Sequence, residues 1–281
     1  MATVAIAGVG LIGGSFALAL RKAGFKGRIL GVSSERTLRQ ALDLGIVDEA
    51  ATLAGAAARA DLLYLSQPIL RILEMLDELQ PLVREDCLVT DAGSTKARIA
   101  ARGAAALGPR RFLGGHPMAG KETRGCAEAD ADLFRGRTWV LTPLEPEQME
   151  SPAVAAFRSW IEAIGAVPLV LSPGDHDAIV AFTSHLPQLA STALAAAIGE
   201  HLGSERAGVA CGPGLLDATR LALSPYDVWA DILATNETPV EAALDAMIRV
   251  LQSLRSGLTA DATGEVFSSA ARFAAALRKA R

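Results

Sequence analysis

A doubly wound α/β sheet followed by an all-helical half is the fold this chain of 281 residues predicts, and three observations predict it. Short apolar runs alternate with helix-length stretches as far as Leu171, the pattern of buried parallel strands joined by crossover helices. A glycine-rich turn directly follows the first apolar run. Beyond Leu171 the strand signals stop, and Ser/Thr-Pro starts punctuate segments rich in Ala and Leu.

In chain order, Val4–Ala7, Arg28–Val32, Asp61–Ser66, Cys87–Thr90 and Arg111–Gly114 read as strands, with two more at Thr138–Thr142 and Ala166–Leu171. Ser172-Pro-Gly-Asp175, Ser224-Pro-Tyr-Asp227 and Thr238-Pro-Val-Glu241 each read as a helix start. The hydroxyl takes an orphan N–H, Pro loses no bond in the first turn, and the acid suits the positive helix end. Pro187 is expected to kink the helix that carries it. These signals divide the chain into residues 1–171, a dinucleotide-binding unit, and 172–281, a helical unit for substrate and dimerisation. The boundary is short and packed near Leu171–Pro173.

Composition narrows the function. Hydrophobic residues make up 51% and charged residues 21%, which excludes disorder. Lys+Arg is 27 against 31 Asp+Glu, for a net charge of −4, so nucleic-acid binding by bulk electrostatics is not expected. The three cysteines are odd in number and lack a C-x-x-C, which points to a reducing cytoplasm and away from a disulfide scaffold. No apolar run reaches membrane length, and no signal peptide is read at the N-terminus. The four histidines, at 116, 176, 185 and 201, form no close ligand pair, so no metal is expected.

Gly8-Val-Gly10-Leu11-Ile12-Gly13 follows a strand and opens a helix, the context that gives such a loop meaning. Gly8 makes the tight turn, Gly10 lets the backbone approach a pyrophosphate, and Gly13 permits close helix–strand packing. The helix start, with Leu11 and Ile12, supplies N–H groups and positive dipole. This is a Rossmann-type signature. At the end of the next strand Ser33 stands where an NAD-selective domain places an acid. Ser33, Ser34 and Arg36 suit a 2′-phosphate, so NADP is favoured over NAD. Glu35 keeps NAD open by turning toward the ribose, and Arg36 reads equally as a solvated residue at a helix start.

Ligands of open α/β sheets sit beyond the strand C-termini. There the chain places Ser66-Gln67-Pro68, Asp91-Ala-Gly-Ser94-Thr-Lys96, and Gly114-Gly-His116-Pro-Met-Ala-Gly120-Lys-Glu122. Ser66, Pro68 and Asp91 are read as cofactor contacts. Lys96 reads either as a solvated helix-start residue or as a neighbour of cofactor or substrate. His176 reads as a structural contact between domains. His185 and Gln188 share a helix face that either lines the cleft or belongs to the core.

The glycine loop, the Asp91–Lys96 and Gly114–Gly120 segments, Ser184-His185-Leu-Pro187, and Gly212-Pro-Gly-Leu-Leu-Asp217-Ala-Thr-Arg220 followed by Trp229-Ala-Asp231-Ile and Asn236 together resemble the prephenate/arogenate dehydrogenase family of tyrosine biosynthesis. The resemblance runs from residue 4 to about residue 236. It implies oxidative decarboxylation of a cyclohexadienyl acid with NAD(P)+. By the resemblance His116 is the base or hydrogen-bond acceptor for the C4 hydroxyl, Ser94 orients that hydroxyl, and Arg220 grips the ring carboxylate. Asp217 orients Arg220, while Glu122, His185 and Gln188 lie at the substrate pocket. Several family members carry a histidine where Gln188 stands, which leaves prephenate and arogenate both open. Pro213 interrupts a run that is often all glycine. With the apolar segments Ile179–Ile198 and Val240–Leu258, the resemblance implies a homodimer.

Two other readings compete. A 3-hydroxyacid dehydrogenase of the 6-phosphogluconate type needs an interdomain lysine, yet none occurs between Lys121 and Lys279, leaving only Lys96 for the part. A non-catalytic NADP-binding sensor needs the loop but not His116, Ser94 and Arg220 together.

Overall fold

The computed structural model describes residues 1–279. β1 (Thr3–Ala7) leads through the glycine turn into α1 (Leu11–Lys22). Then come β2 (Arg28–Val32), α2 (Glu35–Asp43), β3 (Glu49–Ala50), α3 (Leu53–Ala57), β4 (Leu62–Leu65), α4 (Ile69–Leu79), β5 (Leu88–Asp91), α5 (Ala97–Leu107) and β6 (Phe112–Pro117). After a long loop, β7 (Thr138–Thr142), α6 (Pro152–Ala163) and β8 (Val167–Val170) complete one eight-stranded sheet in the order 3-2-1-4-5-6-7-8. Every neighbouring pair is parallel except β6 and β7.

Each strand read from the sequence is present. The two-residue β3 was not read, because a strand that short carries no apolar run. The order reverses between β1 and β4, which leaves a crevice at their C-terminal ends where ligands of such sheets bind. One face of the sheet buries an aromatic group centred on Trp139, with Phe16, Tyr64 and Phe134 at centroid distances of 5.5, 5.9 and 5.1 Å. The other face packs Leu63, Leu65 and Val89 against Ile72, Leu76 and Ile99 of α4 and α5. Burying each of these large side chains contributes about 1.5–3 kcal/mol.

From Pro173 onward the described residues contain helices and turns only: α7 (Pro173–Val180), a π-helical turn Ala181–His185, α8 (Leu186–Val209), α9 (Pro213–Thr219), a 3₁₀ turn Arg220–Leu223, α10 (Tyr226–Thr235), α11 (Glu237–Ser256) and α12 (Asp261–Lys279). Ser172 caps α7 as expected, its Oγ accepting from the Asp175 N–H at 3.0 Å. The other two expected starts are corrected. α10 begins at Tyr226, and Ser224 Oγ instead accepts from the indole N–H of Trp229 at 2.9 Å. α11 begins at Glu237 after Asn236, which places Thr238 inside the helix. Pro187 falls in the first turn of α8, and the wider π-turn just before it takes up the mismatch in place of a mid-helix kink. α8 breaks later, at Gly203, where φ is +69°.

The helical half docks on the strand ends through polar contacts. Thr95 and Thr235 hydroxyls meet at 2.7 Å, the Leu70 N–H donates to Asp231, and Arg98 donates to the Ala234 carbonyl. Among the described residues no helix is long and apolar enough to cross a membrane, and no group of side chains is placed to hold a metal ion.

Candidate active site

The glycine turn is shaped for close approach. Gly8 has φ +101°, and a Cβ there would lie 2.0 Å from the Ser66 carbonyl oxygen. A Cβ on Gly13 would lie 2.1 Å from the Gly8 carbonyl oxygen, so α1 is drawn tightly onto the loop. Gly10, by contrast, faces open space: nothing stands within 4 Å of where its Cβ would be. It is the N-cap of α1, has no side-chain cap, and is followed by a first turn without an acid. The first amides of the helix, through Leu11, Ile12 and Gly13, therefore face outward as donors with positive dipole behind them. This cradle fits the pyrophosphate of a dinucleotide. Ser33 is half-buried at the end of β2, and Glu35 and Arg36 are exposed. Ser34 caps α2, its Oγ accepting from the Thr37 N–H at 3.3 Å.

A cleft opens beyond β4 and β5, lined by Gln67, Pro68, Ala92, Gly93, Ser94 and Ile232. Arg124, from the loop after β6, reaches over it to a two-pronged contact with Asp227 of α10, at 3.0 and 3.1 Å. His116 stands half-buried on β6. Its Nδ1 is 2.8 Å from His176 Nε2, and His176 Nδ1 is 2.8 Å from Asp177 Oδ1. The Asp177 carboxylate also accepts from the backbone N–H groups of Lys96, at 2.7 Å, and Ala97, at 2.8 Å. Its backbone carbonyl accepts from Asn236 Nδ2 at 2.9 Å. Burial, and then the neighbouring His176, Lys96 and His185, hold the His116 imidazole well below the usual histidine range. A neutral ring whose Nε2 has no partner among the described residues is equipped to accept a proton.

Several sequence expectations are corrected here. Asp91, expected as a cofactor contact, is fully buried, with its carboxylate taken up by the protein itself. Its carboxylate accepts from the Gly93 N–H at 2.7 Å, from the Gly115 N–H at 3.1 Å, and from the Lys96 ammonium. Lys96 is neither solvated nor in the cleft: it is fully buried against Asp91 and donates to the Gly115 carbonyl at 2.8 Å. Arg220 pairs with Glu122 at 3.0 Å at an exposed rim and not with Asp217, because α9 tightens to a 3₁₀ turn at Arg220 and takes it off the Asp217 face.

His185 is buried, with Nδ1 3.2 Å from Asn236 Nδ2 and its ring edge-on to Trp229; burial first of all lowers its pKa to about 4. Gln188 is buried too, and its amide donates to the Leu221 carbonyl at 2.9 Å and to Thr192 at 3.2 Å. Both belong to the interior of the helical half, the core reading of that helix face. The structure thus sets Ser94 in the cleft beyond β4 and β5 and His116 on the neighbouring β6, pairs Arg220 with Glu122 in the open, leaves Asp217 exposed, and buries Asp91, His185 and Gln188. His176, read as a contact between domains, makes one to His116; that it stands behind this ring was missed, and so was Asp177 altogether. Their one signal was a His-Asp pair in the first turn of a helix, with nothing local to say what it would face.

Comparison with known proteins agrees with this geometry. Residues 16–170 match the family model of the prephenate dehydrogenase nucleotide-binding domain, and residues 172–271 that of the prephenate dehydrogenase dimerization domain. A prephenate dehydrogenase of Bacillus subtilis (strain 168) is 33% identical over 260 residues, covering 90% of this chain and 69% of the relative. The crystal structure of prephenate dehydrogenase from A. aeolicus, in complex with hydroxyphenyl propionate and NAD+, superposes with a TM-score of 0.88 at 31% identity, over 100% of this chain and 99% of that one. Synechocystis arogenate dehydrogenase superposes with a TM-score of 0.83 at 29% identity, over 99% and 100%. The chain belongs to the prephenate dehydrogenase family.

Proposed function

We propose that this enzyme carries out the oxidative decarboxylation of prephenate or arogenate with NAD(P)+, giving 4-hydroxyphenylpyruvate or tyrosine plus CO2. One observation carries the reading: a neutral His116 at the end of β6, with Nε2 unpartnered among the described residues, on the strand next to the one that the Ser94 loop follows. Bound NAD(P)+ supplies the acceptor for the hydride lost from C4 of the substrate. His116 Nε2 accepts the C4 hydroxyl proton as that C–H bond breaks. Ser94 hydrogen-bonds the same hydroxyl and orients it. The electron pair of the C1–carboxylate bond then enters the ring, CO2 departs, and the proton returns from His116 to the phenolate oxygen. Arg220 holds the ring carboxylate. Its present partner, Glu122, is itself exposed, so that pair is weak and readily exchanged for a substrate carboxylate.

Gly8, Gly10, Leu11, Ile12 and Gly13 hold the pyrophosphate, and Ser66 and Pro68 flank the nicotinamide. Ser33, Ser34 and Arg36 favour NADP. The division of labour falls at residues 171 and 172. The free cysteines suit a reducing cytoplasm. A 340 nm assay crossing prephenate and arogenate with NAD+ and NADP+ tests the reading. Turnover is expected with one of the substrates and faster with NADP+, and Arg36→Ala is expected to erase the NADP+ advantage by weakening only that cofactor. No turnover in any combination would overturn the dehydrogenase reading, and a preference for NAD+ would move the ribose role to Glu35.

We also propose a homodimer formed through the helical half. That half has little core of its own: Ala181, Val240 and Ala243 are the buried residues of its one apolar cluster, and neither α9 nor α12 buries a side chain. Leu223, Tyr226, Phe267 and Phe273 are left 85%, 75%, 68% and 70% exposed. Apolar surface on this scale marks an interface, and a two-fold pairing lets the same surface cover itself. Light scattering at micromolar concentration is expected to give twice the chain mass, and Phe267→Glu with Phe273→Glu to give a monomer of reduced stability. A wild-type monomer would remove the claim.

A further inference from the structure

The chain of contacts behind His116 decides which of its nitrogens is basic. Asp177 Oδ1 accepts from the Lys96 backbone N–H at 2.7 Å, and a carboxylate oxygen can only accept from the ring beside it as well. The 2.8 Å contact from His176 Nδ1 to that oxygen therefore puts the hydrogen of His176 on Nδ1. In its neutral form the imidazole has one N–H, and His176 Nε2 then carries a lone pair. The 2.8 Å contact between this nitrogen and His116 Nδ1 then requires the hydrogen of His116 on Nδ1. Both His176 and Asp177 are buried, so water does not compete for these positions.

We infer that His176 and Asp177 are positioning residues that fix His116 in its Nδ1–H tautomer and so present Nε2 to the substrate as the base. In the opposite tautomer the lone pair of His116 would face His176, and Nε2 would carry the hydrogen with nothing to accept a proton. The device joins the two halves of the molecule. Asp177 and His176 lie on α7 of the helical half, whereas the amides that hold the Asp177 carboxylate open α5, and His116 ends β6. The base is set only while α7 is docked. What the base acts on rests on the proposed dehydrogenase activity; which nitrogen is basic rests on the geometry alone.

The test is built to separate the two. In full-length protein with 15N-labelled imidazoles, the four histidines give few signals, and His116→Asn identifies those of His116. A protonated Nδ1 and a bare Nε2 are expected for His116 at neutral pH; an Nε2–H tautomer would overturn the inference whether or not the protein turns over prephenate or arogenate. In the assay, His176→Leu is expected to lower kcat by about tenfold to a hundredfold, with KM and the dissociation constant of the cofactor unchanged. His176→Gln, which offers an oxygen where Nε2 stood, is expected to recover most of the loss. A leucine variant with wild-type kcat would also overturn the inference. If that variant does not fold, the tautomer of the wild-type ring decides alone. Absence of turnover in the wild type, with the Nδ1–H tautomer observed, would overturn the activity and leave the positioning role standing.

Discussion

His116→Asn is expected to lower kcat by about 10²- to 10⁴-fold while leaving cofactor affinity unchanged. The asparagine amide can still donate toward His176, so the buried contacts behind it survive, and what disappears is the unpartnered Nε2. Fluorescence titration with reduced cofactor checks that binding is intact. The wild-type pH profile belongs to the same prediction. Burial, His176, Lys96 and His185 all disfavour the charged ring, so His116 stays neutral below the usual histidine pKa of 6.5, and the acid limb of kcat/KM is expected below pH 6.5.

Stability follows with a definite sign. The unfolded chain binds protons at His116 and His185 near their ordinary pKa, and the folded chain refuses them until lower pH, down to about 4 for His185. These two groups therefore remove stability as pH falls from 6.5 toward 4, and have no such effect above 7. Turnover by His116→Asn close to that of the wild type, or an acid limb above 6.5, would remove His116 from the role of base.

What the sequence made legible, and what it hid, divides along a physical line. The parallel strands were legible because each is an uninterrupted apolar run, and the glycine turn because its spacing has one structural use. The place of His116 was legible because it directly follows an apolar run that forms β6. The contacts that define its chemistry were not. His176 meets His116 across 60 residues of chain, and Lys96 meets Gly115 across 19. Such pairings depend on how α7 and α5 lie over the sheet, which no local pattern encodes. Helix starts failed for a related reason: Ser224 and Thr238 have the composition of caps, but tertiary partners claimed the neighbouring turns. Side chains whose polar atoms are taken up inside, such as Asp91 and Gln188, look from sequence like ligand contacts because both uses favour the same residue types.

Lys96→Met is expected to destabilise the protein by about 3–5 kcal/mol, the cost of leaving one member of a buried ion pair without its partner. Lys96 and Asp91 are each fully buried, and burial pulls the lysine pKa down while Asp91 opposes the shift. Together they clamp Gly115, the residue before His116, by both its peptide groups: Asp91 accepts from the Gly115 N–H, and Lys96 donates to the Gly115 carbonyl. In the methionine variant the Asp91 carboxylate stays buried and loses the Lys96 ammonium, its one cation among the described residues. Changing Asp91 to Asn in the same chain removes that charge and keeps one oxygen, for either the Gly93 or the Gly115 amide, so Lys96→Met with Asp91→Asn is expected to be more stable than Lys96→Met alone.

Urea unfolding of the single and double variants measures this directly. A loss of this size is a large fraction of the roughly 5–15 kcal/mol that holds a domain folded. The experiment also decides between two uses of Lys96. A lysine that acts in catalysis, as the 3-hydroxyacid dehydrogenase reading requires, would lose turnover without losing stability when replaced. A frame residue loses stability first, and activity only through the displaced His116. Wild-type stability in Lys96→Met, with turnover abolished, would return Lys96 to the chemistry.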